Sequence, residues 1–356
     1  MRRARHRVEV ITDVERLRAF EPEWQVLFAS DPRASPFQSP DWLLPWSEVF
    51  AGHGTLRVVV LWEGARAMLC LPLQQIDRAG QRRLGWLGEG LSDYLDLLVT
   101  GDAGEGAVQT SWAVLRELAG DAEQTELTDL PENSPLLRCR AAGWSARGGA
   151  VCPKLEPGDD APAFERQLPA WLARNLRNSQ RRLGLCGTLD WRLVTPADAS
   201  AHIQDFFVLH GARWRARGEP GVLDHPGVQA FHRAAAPRLI AHGLLELQIA
   251  SWAGRAVAAA YTLVRRQAYL YLNGFDPGIE GVSLGSLAIS RVIQRAIADG
   301  RRTIDFLRGQ EAYKYAWGAR DTRSYVLQQE TRLQDQAARG ETGSASPSSC
   351  WRTSSA

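Results

Sequence analysis

LELQIASW (residues 245–252), AVAAAYTLV (256–264), AYLYL (268–272), SLAISRVIQRAIADG (286–300) and TIDFL (303–307) succeed one another along the chain, and their order decides the fold. The first three are short apolar runs separated by the polar turns Ala-Gly-Arg and Arg-Arg-Gln, the pattern of a three-stranded antiparallel meander. In the fourth, Ile289, Val292, Ile293, Ala296 and Ile297 share one helical face and Gly300 supplies the stop. The fifth reads as a further buried strand. Meander, loop, helix and strand together specify an α/β (α+β) unit whose sheet is mixed and mostly antiparallel.

Outward from this segment, the residues before it predict a helix over 163–183, a strand over 188–194 and helices over 198–216 and 225–241. The first part of the chain repeats the order. A strand over 8–11 precedes a helix capped by Thr12 or Asp13 and running to about Ser30, with Leu17, Phe20, Trp24, Leu27 and Phe28 as its core face. A helix over 40–50 leads into a second meander at 55–62, 66–76 and 82–87. A strand over 94–99, a helix over 107–118, a strand over 125–130 and a short helix over 134–142 complete it. The repetition of element order predicts an internal duplication: an N-terminal domain over 1–151, a C-terminal domain over 163–334, and a linker over 152–162 whose three prolines, glycine and paired acids suit an exposed connection. Residues 335–356 are small, polar and aperiodic, the composition of a disordered tail.

Composition narrows the function classes. The 356 residues carry 42 basic and 40 acidic groups, a formal net charge of +2, so no global field recruits DNA or an anionic membrane. The basic start is followed by Val-Glu-Val-Ile at 8–11 and not by an apolar stretch, and no run approaches the roughly 18–20 apolar residues of a spanning helix. A soluble, cytoplasmic protein without membrane insertion is expected. Five scattered cysteines and seven histidines with no H-x-x-x-H pair predict no metal site and no disulfide framework. Only Lys154 and Lys314 are lysine, against forty arginines.

Four segments are candidates for chemistry. Gly281 to Ser286 joins a meander strand to a helix, so Ser283, Leu284, Gly285 and Ser286 can present free helix-start N–H groups to a pyrophosphate; alternatively Ser283 only caps the helix. Asp305 ends an apolar strand and can orient or deprotonate a nucleophile, or else pair with Arg308 or Lys314. Tyr313 and Trp317 follow at a spacing of four, as packing or site residues, and a lysine at 314 suits a place that needs a point charge. His210 can act as a base or sit at the core edge. Arg174, Arg177, Arg181 and Arg182 share a helical face that meets phosphates or water.

At Phe37-Gln-Ser-Pro-Asp-Trp42, Ser92-Asp-Tyr-Leu-Asp-Leu97, Arg213-Trp214, Tyr271-Leu-Asn-Gly-Phe-Asp-Pro277, Ser283-Leu-Gly285 and Asp305-Phe-Leu-Arg-Gly309 with Tyr313-Lys314 and Trp317, the sequence resembles the GNAT-like acetyltransferases of the CelD/BcsL type, associated by name with cellulose biosynthesis. That family is similar in turn to FemAB peptidyltransferases, which place two GNAT-like units in tandem. The resemblance implies tandem GNAT-like (acyl-CoA N-acyltransferase) domains, the first degenerate, and transfer of an acyl group from acetyl-CoA to an amine or hydroxyl of a small-molecule or saccharide acceptor. It also implies that the strand carrying Leu270, Tyr271 and Leu272 holds the thioester oxygen through a backbone N–H, with the pyrophosphate on Ser283–Ser286. In place of the usual Q/R-x-x-G-x-G/A loop the chain has Gly281-Val-Ser-Leu-Gly285-Ser, so two alternatives stand: an aminoacyl-tRNA donor, the one case that brings in RNA, and a non-catalytic role in polysaccharide production.

Overall fold

A computed structural model describes residues 7–52, 55–78 and 81–330. Its contacts divide into two units, one built from residues 7–150 and 323–330, the other from residues 151–322. The tail expected over 335–356 lies outside the described residues, as does Cys350.

The first unit begins with β1 (Arg7–Ile11), α1 (Val14–Ala19), α2 (Glu21–Ser30) and α3 (Pro40–Phe50). The single helix expected up to Ser30 is broken at Phe20, because Pro22 in the first turn of α2 lacks an N–H and cannot continue α1. Asp13 caps α1 by accepting from the Arg16 N–H at 2.7 Å. Then come β2 (Leu56–Glu63), β3 (Arg66–Arg78), β4 (Gln81–Trp86), β5 (Leu98–Val99), α4 (Gly104–Gly120), β6 (Gln124–Leu130), α5 (Pro135–Arg138) and β7 (Trp144–Leu155). Of the strand expected over 94–99 only β5 forms. Residues 92–97 serve side chains instead: Trp42 Nε1 donates to Ser92 Oγ at 2.9 Å and Gln38 Nε2 to the Asp96 carbonyl at 3.2 Å. Two of the quoted motifs thus hold each other.

The second unit continues with α6 (Ala161–Gln167), α7 (Ala170–Gly184), β8 (Leu189–Leu193), α8 (Ala199–Arg215), α9 (Pro226–Ala241), β9 (Leu245–Trp252), β10 (Arg255–Val264), β11 (Ala268–Phe275), α10 (Leu284–Ala298), β12 (Ile304–Asp305), α11 (Ala312–Ala316) and β13 (Arg320–Gln329). The helix expected over 163–183 is two helices, parted at Leu168-Pro169, where proline forces an extended residue before it.

Each unit repeats one topology. In the first, β1, β2, β3 and β4 pair antiparallel in order, α4 crosses over, and β6 pairs parallel with β4. In the second, β8, β9, β10 and β11 do the same, α10 crosses over, and β12 pairs parallel with β11. The last strand of each unit comes from the other part of the chain. Residues 151–155 of β7 belong with β12, and residues 323–329 of β13 with β6. The exposed linker expected to begin at 152 is therefore strand through Leu155, with Cys152 and Leu155 buried. Pro153 and the Gly148-Gly149 pair hid it from a sequence reading.

In the second unit one sheet face carries α6, α7 and α10 over a core of Leu172, Leu176, Ile289, Val292, Ile304 and Trp317. On α8, Leu209 and His210 come so close to β11 that a Cβ on Gly274 would lie 2.4 Å from the His210 backbone nitrogen. Gly274→Ala is therefore expected to cost about 1–3 kcal/mol, read as a lower urea midpoint at unchanged slope.

Candidate functional site

β12 is two residues long and pairs with β11 only at Ala268–Ile304 and Tyr269–Asp305, while β11 runs on to Phe275 beside β10. From Leu270 onward the two parallel strands part. At the same place the register between β10 and β11 slips: Thr262 faces Leu270 and Tyr261 faces Leu272, so Tyr271 is the extra residue of a β-bulge. A bulge bends its strand and releases one residue from the ladder. The Leu270-Tyr271-Leu272 segment picked out from sequence thus lies where β11 bends just beyond its pairing with β12. In the first unit β3 and β4 pair without such a slip.

Polar side chains gather at the end of this opening. Arg213, from the last turn of α8, donates through Nη1 to the Asn273 carbonyl at 3.4 Å and, in a closer contact, to Asn273 Oδ1. Its guanidinium lies 5.5 Å from the Trp214 ring and 5.7 Å from Phe275. Burial lowers its pKa to about 10, against the opposing pull of Tyr313 and Glu311. Tyr313 sits edge-on to Phe306 at 6.2 Å; burial and Glu311 push its phenol up to about 12, opposed by Arg213 and Arg217. At neutral pH it is a proton donor.

Beneath these groups is a strained turn. Leu307 has φ +59° and Gly309 φ +108°, and a left-handed leucine persists only where its surroundings hold it. Two lysines do so. Lys314, fully buried, donates from Nζ to the carbonyls of Leu307 (3.1 Å), Arg308 (2.8 Å) and Gly309 (3.0 Å), and lies 2.8 Å from Glu311 Oε2. Three carbonyls converging on one point suit an ammonium and not a planar guanidinium. Asp305, also fully buried, accepts from the Leu307 N–H at 2.8 Å and pairs with Lys154 at 3.3 Å. This partner is brought in by β7, from outside the segment that suggested Arg308 or Lys314. So engaged, Asp305 holds the turn.

His210 is buried between α8 and β11, and its Nε2 accepts from Trp214 Nε1 at 3.0 Å. Burial, helped by Arg213, pushes its pKa down to about 3. The ring is neutral with its lone pair already used, which corrects its reading as a base. Glu311, beside Lys314, and Asn273, beside Arg213, were given no role of their own from sequence; Asn273 entered only within the Tyr271–Pro277 motif.

The loop before α10 is tied down by α7. Ser283 N–H donates to Ser179 Oγ at 3.0 Å, Asn175 Nδ2 donates to Ser283 Oγ at 2.8 Å, and Arg182 Nη1 donates to the Gly281 carbonyl at 3.0 Å. The N–H groups of Leu284, Gly285 and Ser286 are those for which the helix has no internal acceptor. They begin α10 beside α7, on which Arg174, Arg177 and Arg181 are exposed. Ser283 itself is spent on α7. Among the described residues no cluster of side chains fits a metal, and no helix is long and apolar enough to cross a membrane.

Residues 172–315 match the family described as "Acetyltransferase (GNAT) domain". No curated protein sequence matches the chain. Among solved structures, FemX superposes over 93% of this chain and 98% of its own with a TM-score of 0.64 at 9% identity. L-PGS from Bacillus licheniformis superposes over 92% and 95% with 0.56 at 9% identity. A C-terminal DUF2156 domain from Agrobacterium fabrum gives 90%, 93% and 0.56 at 13%. At these identities the likeness is one of fold.

Proposed function

Since the second unit carries a GNAT-type fold, we propose that it transfers an acyl group, from acetyl-CoA as donor, to an amine or hydroxyl of a small-molecule or saccharide acceptor. The observation that carries this reading is the bulge at Tyr271 where β11 and β12 part. There a backbone N–H of the Leu270–Leu272 segment donates to the acyl carbonyl oxygen and stabilises the negative charge it gains as the acceptor adds. Glu311 takes the acceptor's proton. The carbon–sulfur bond breaks as Tyr313 gives its proton to the leaving thiolate, and Tyr313 is recharged from solvent. Asp305, Lys154 and Lys314 are positioning residues that fix the turn from which Glu311 and Tyr313 project.

Tyr313→Phe is expected to lower kcat about 100-fold with little change in KM, the ordinary worth of a positioned proton donor; a kcat within threefold of wild type removes Tyr313 from the mechanism. The first unit, without the bulge, is read as the degenerate copy. A saccharide acceptor and a cell-envelope-directed role rest on the CelD/BcsL resemblance alone, and a cytoplasmic location on the sequence reading of the N-terminal segment and the apolar runs.

A second reading, an aminoacyl-tRNA donor, is favoured by the engagement of Ser283 with α7, which narrows the seat for a pyrophosphate. The same mouth would serve, with a ribose hydroxyl leaving in place of the thiolate. Ser283→Asp separates the two. It places a negative charge beside the seat, so acetyl-CoA binding by titration calorimetry is expected to weaken at least 10-fold. Unchanged acetyl-CoA binding puts the pyrophosphate elsewhere, and no binding by wild type moves the donor to the aminoacyl class.

A further inference from the structure

A cavity of about 520 Å³ opens between the C-terminal half of α7, the edge strand β8 and the middle of α10. It lies away from the opening at Tyr271, since β8 stands three strands from β11, roughly 14 Å across the sheet. Leu183, Trp191 and Leu287 give it an apolar wall, and Ser290, Gln294 and Arg291 give it polar groups from one side of α10. Arg291 is the informative one. It lines the cavity, it is only part-buried, and among the described residues no carboxylate pairs with it. A guanidinium at a cavity wall with no carboxylate of its own can take one from a ligand.

From this we infer that the cavity is a second small-molecule site, built for an amphipathic carboxylate. The fork of Arg291 takes the carboxylate through two parallel N–H···O bonds, Ser290 and Gln294 take the polar edge of the ligand, and an apolar or planar body lies along Trp191 and the leucines. The volume suits a ligand of small-metabolite size. Because α7 and α10 form two of its walls, and α7 also holds Ser283, a bound carboxylate braces the helix pair that frames the loop before α10.

The test uses the full-length chain and titration calorimetry with indole-3-propionate and its neutral amide. The carboxylate is expected to bind at least 10-fold more tightly than the amide, and Arg291→Gln to abolish that preference while leaving the melting temperature of the free protein unchanged. Tyr313→Phe is expected to bind indole-3-propionate as wild type does, and saturating acetyl-CoA not to displace it, which separates this site from the acyl-transfer mouth. The inference is overturned by equal affinity for acid and amide, by an Arg291→Gln variant that keeps the preference, or by displacement by acetyl-CoA. No heat with either probe also overturns it. All are read from binding and hold whether or not the protein turns over an acyl donor.

Discussion

Lowering the pH from 7.5 to 5 is expected to remove about 4 kcal/mol from the stability of the second unit. His210 and His232 are both buried and neutral, each pushed down to about 3 chiefly by burial, with Arg213 acting on the first and His210 on the second. In the unfolded chain both titrate near 6.5. Between those values the unfolded state binds protons that the folded state refuses, so stability is intact above 6.5 and falls as the pH drops toward 3. At pH 5 each histidine contributes about 2 kcal/mol of loss by this linkage. In the first unit Asp96 works in the opposite sense. Burial raises its carboxyl to about 7, against Arg33 and Ser134, so its contribution is fully present below the unfolded value and is lost as the pH rises through 7. Urea titrations at pH 7.5 and 5, followed by hydrogen exchange at amides of β10 and β4, read the two units apart. Protection of β10 that does not fall on acidification would show the two histidines to be protonated or exposed.

The second large effect is at Lys314. Lys314→Met removes the ammonium that meets three backbone carbonyls and leaves Glu311 beside them without its cation. Breaking one side of such a buried arrangement costs about 3–5 kcal/mol, which in a unit of this size lowers the melting temperature by about 10 °C. Lys314→Arg is not expected to rescue it, since a planar fork cannot reach three converging carbonyls from a fully buried position. A melting temperature within 2 °C of wild type would mean that the turn at 307–309 holds itself.

The strands of both meanders and the crossover helix α10 were legible because their apolar residues alternate or recur at helical spacing and polar turns bound them. What escaped was decided by distant partners. β7 contains Gly148, Gly149 and Pro153 and looks like a linker, yet its end pairs with β12, 150 residues away in sequence. The pairing of Asp305 with Lys154 follows from that strand, so the local sequence offered only Arg308 and Lys314 as partners. Lys314 itself stood out by its rarity, and the converging carbonyls account for the choice of lysine. The Tyr271 bulge leaves no mark in composition; it is a property of register between two apolar strands. Glu311 was passed over because Asp305, six residues earlier, ended the more apolar strand.

The central claim is that acyl transfer occurs at the mouth where β11 leaves β12, with Glu311 as proton acceptor. It is tested most directly by single-turnover transfer to hydroxylamine, from acetyl-CoA and from an aminoacylated RNA minihelix, comparing wild type with Glu311→Gln. Hydroxamate formed from one of the two donors by wild type, and reduced at least 100-fold in the variant at equal donor binding, is the expected result. A folded wild-type protein that forms none from either donor, or a variant as fast as wild type, would contradict it.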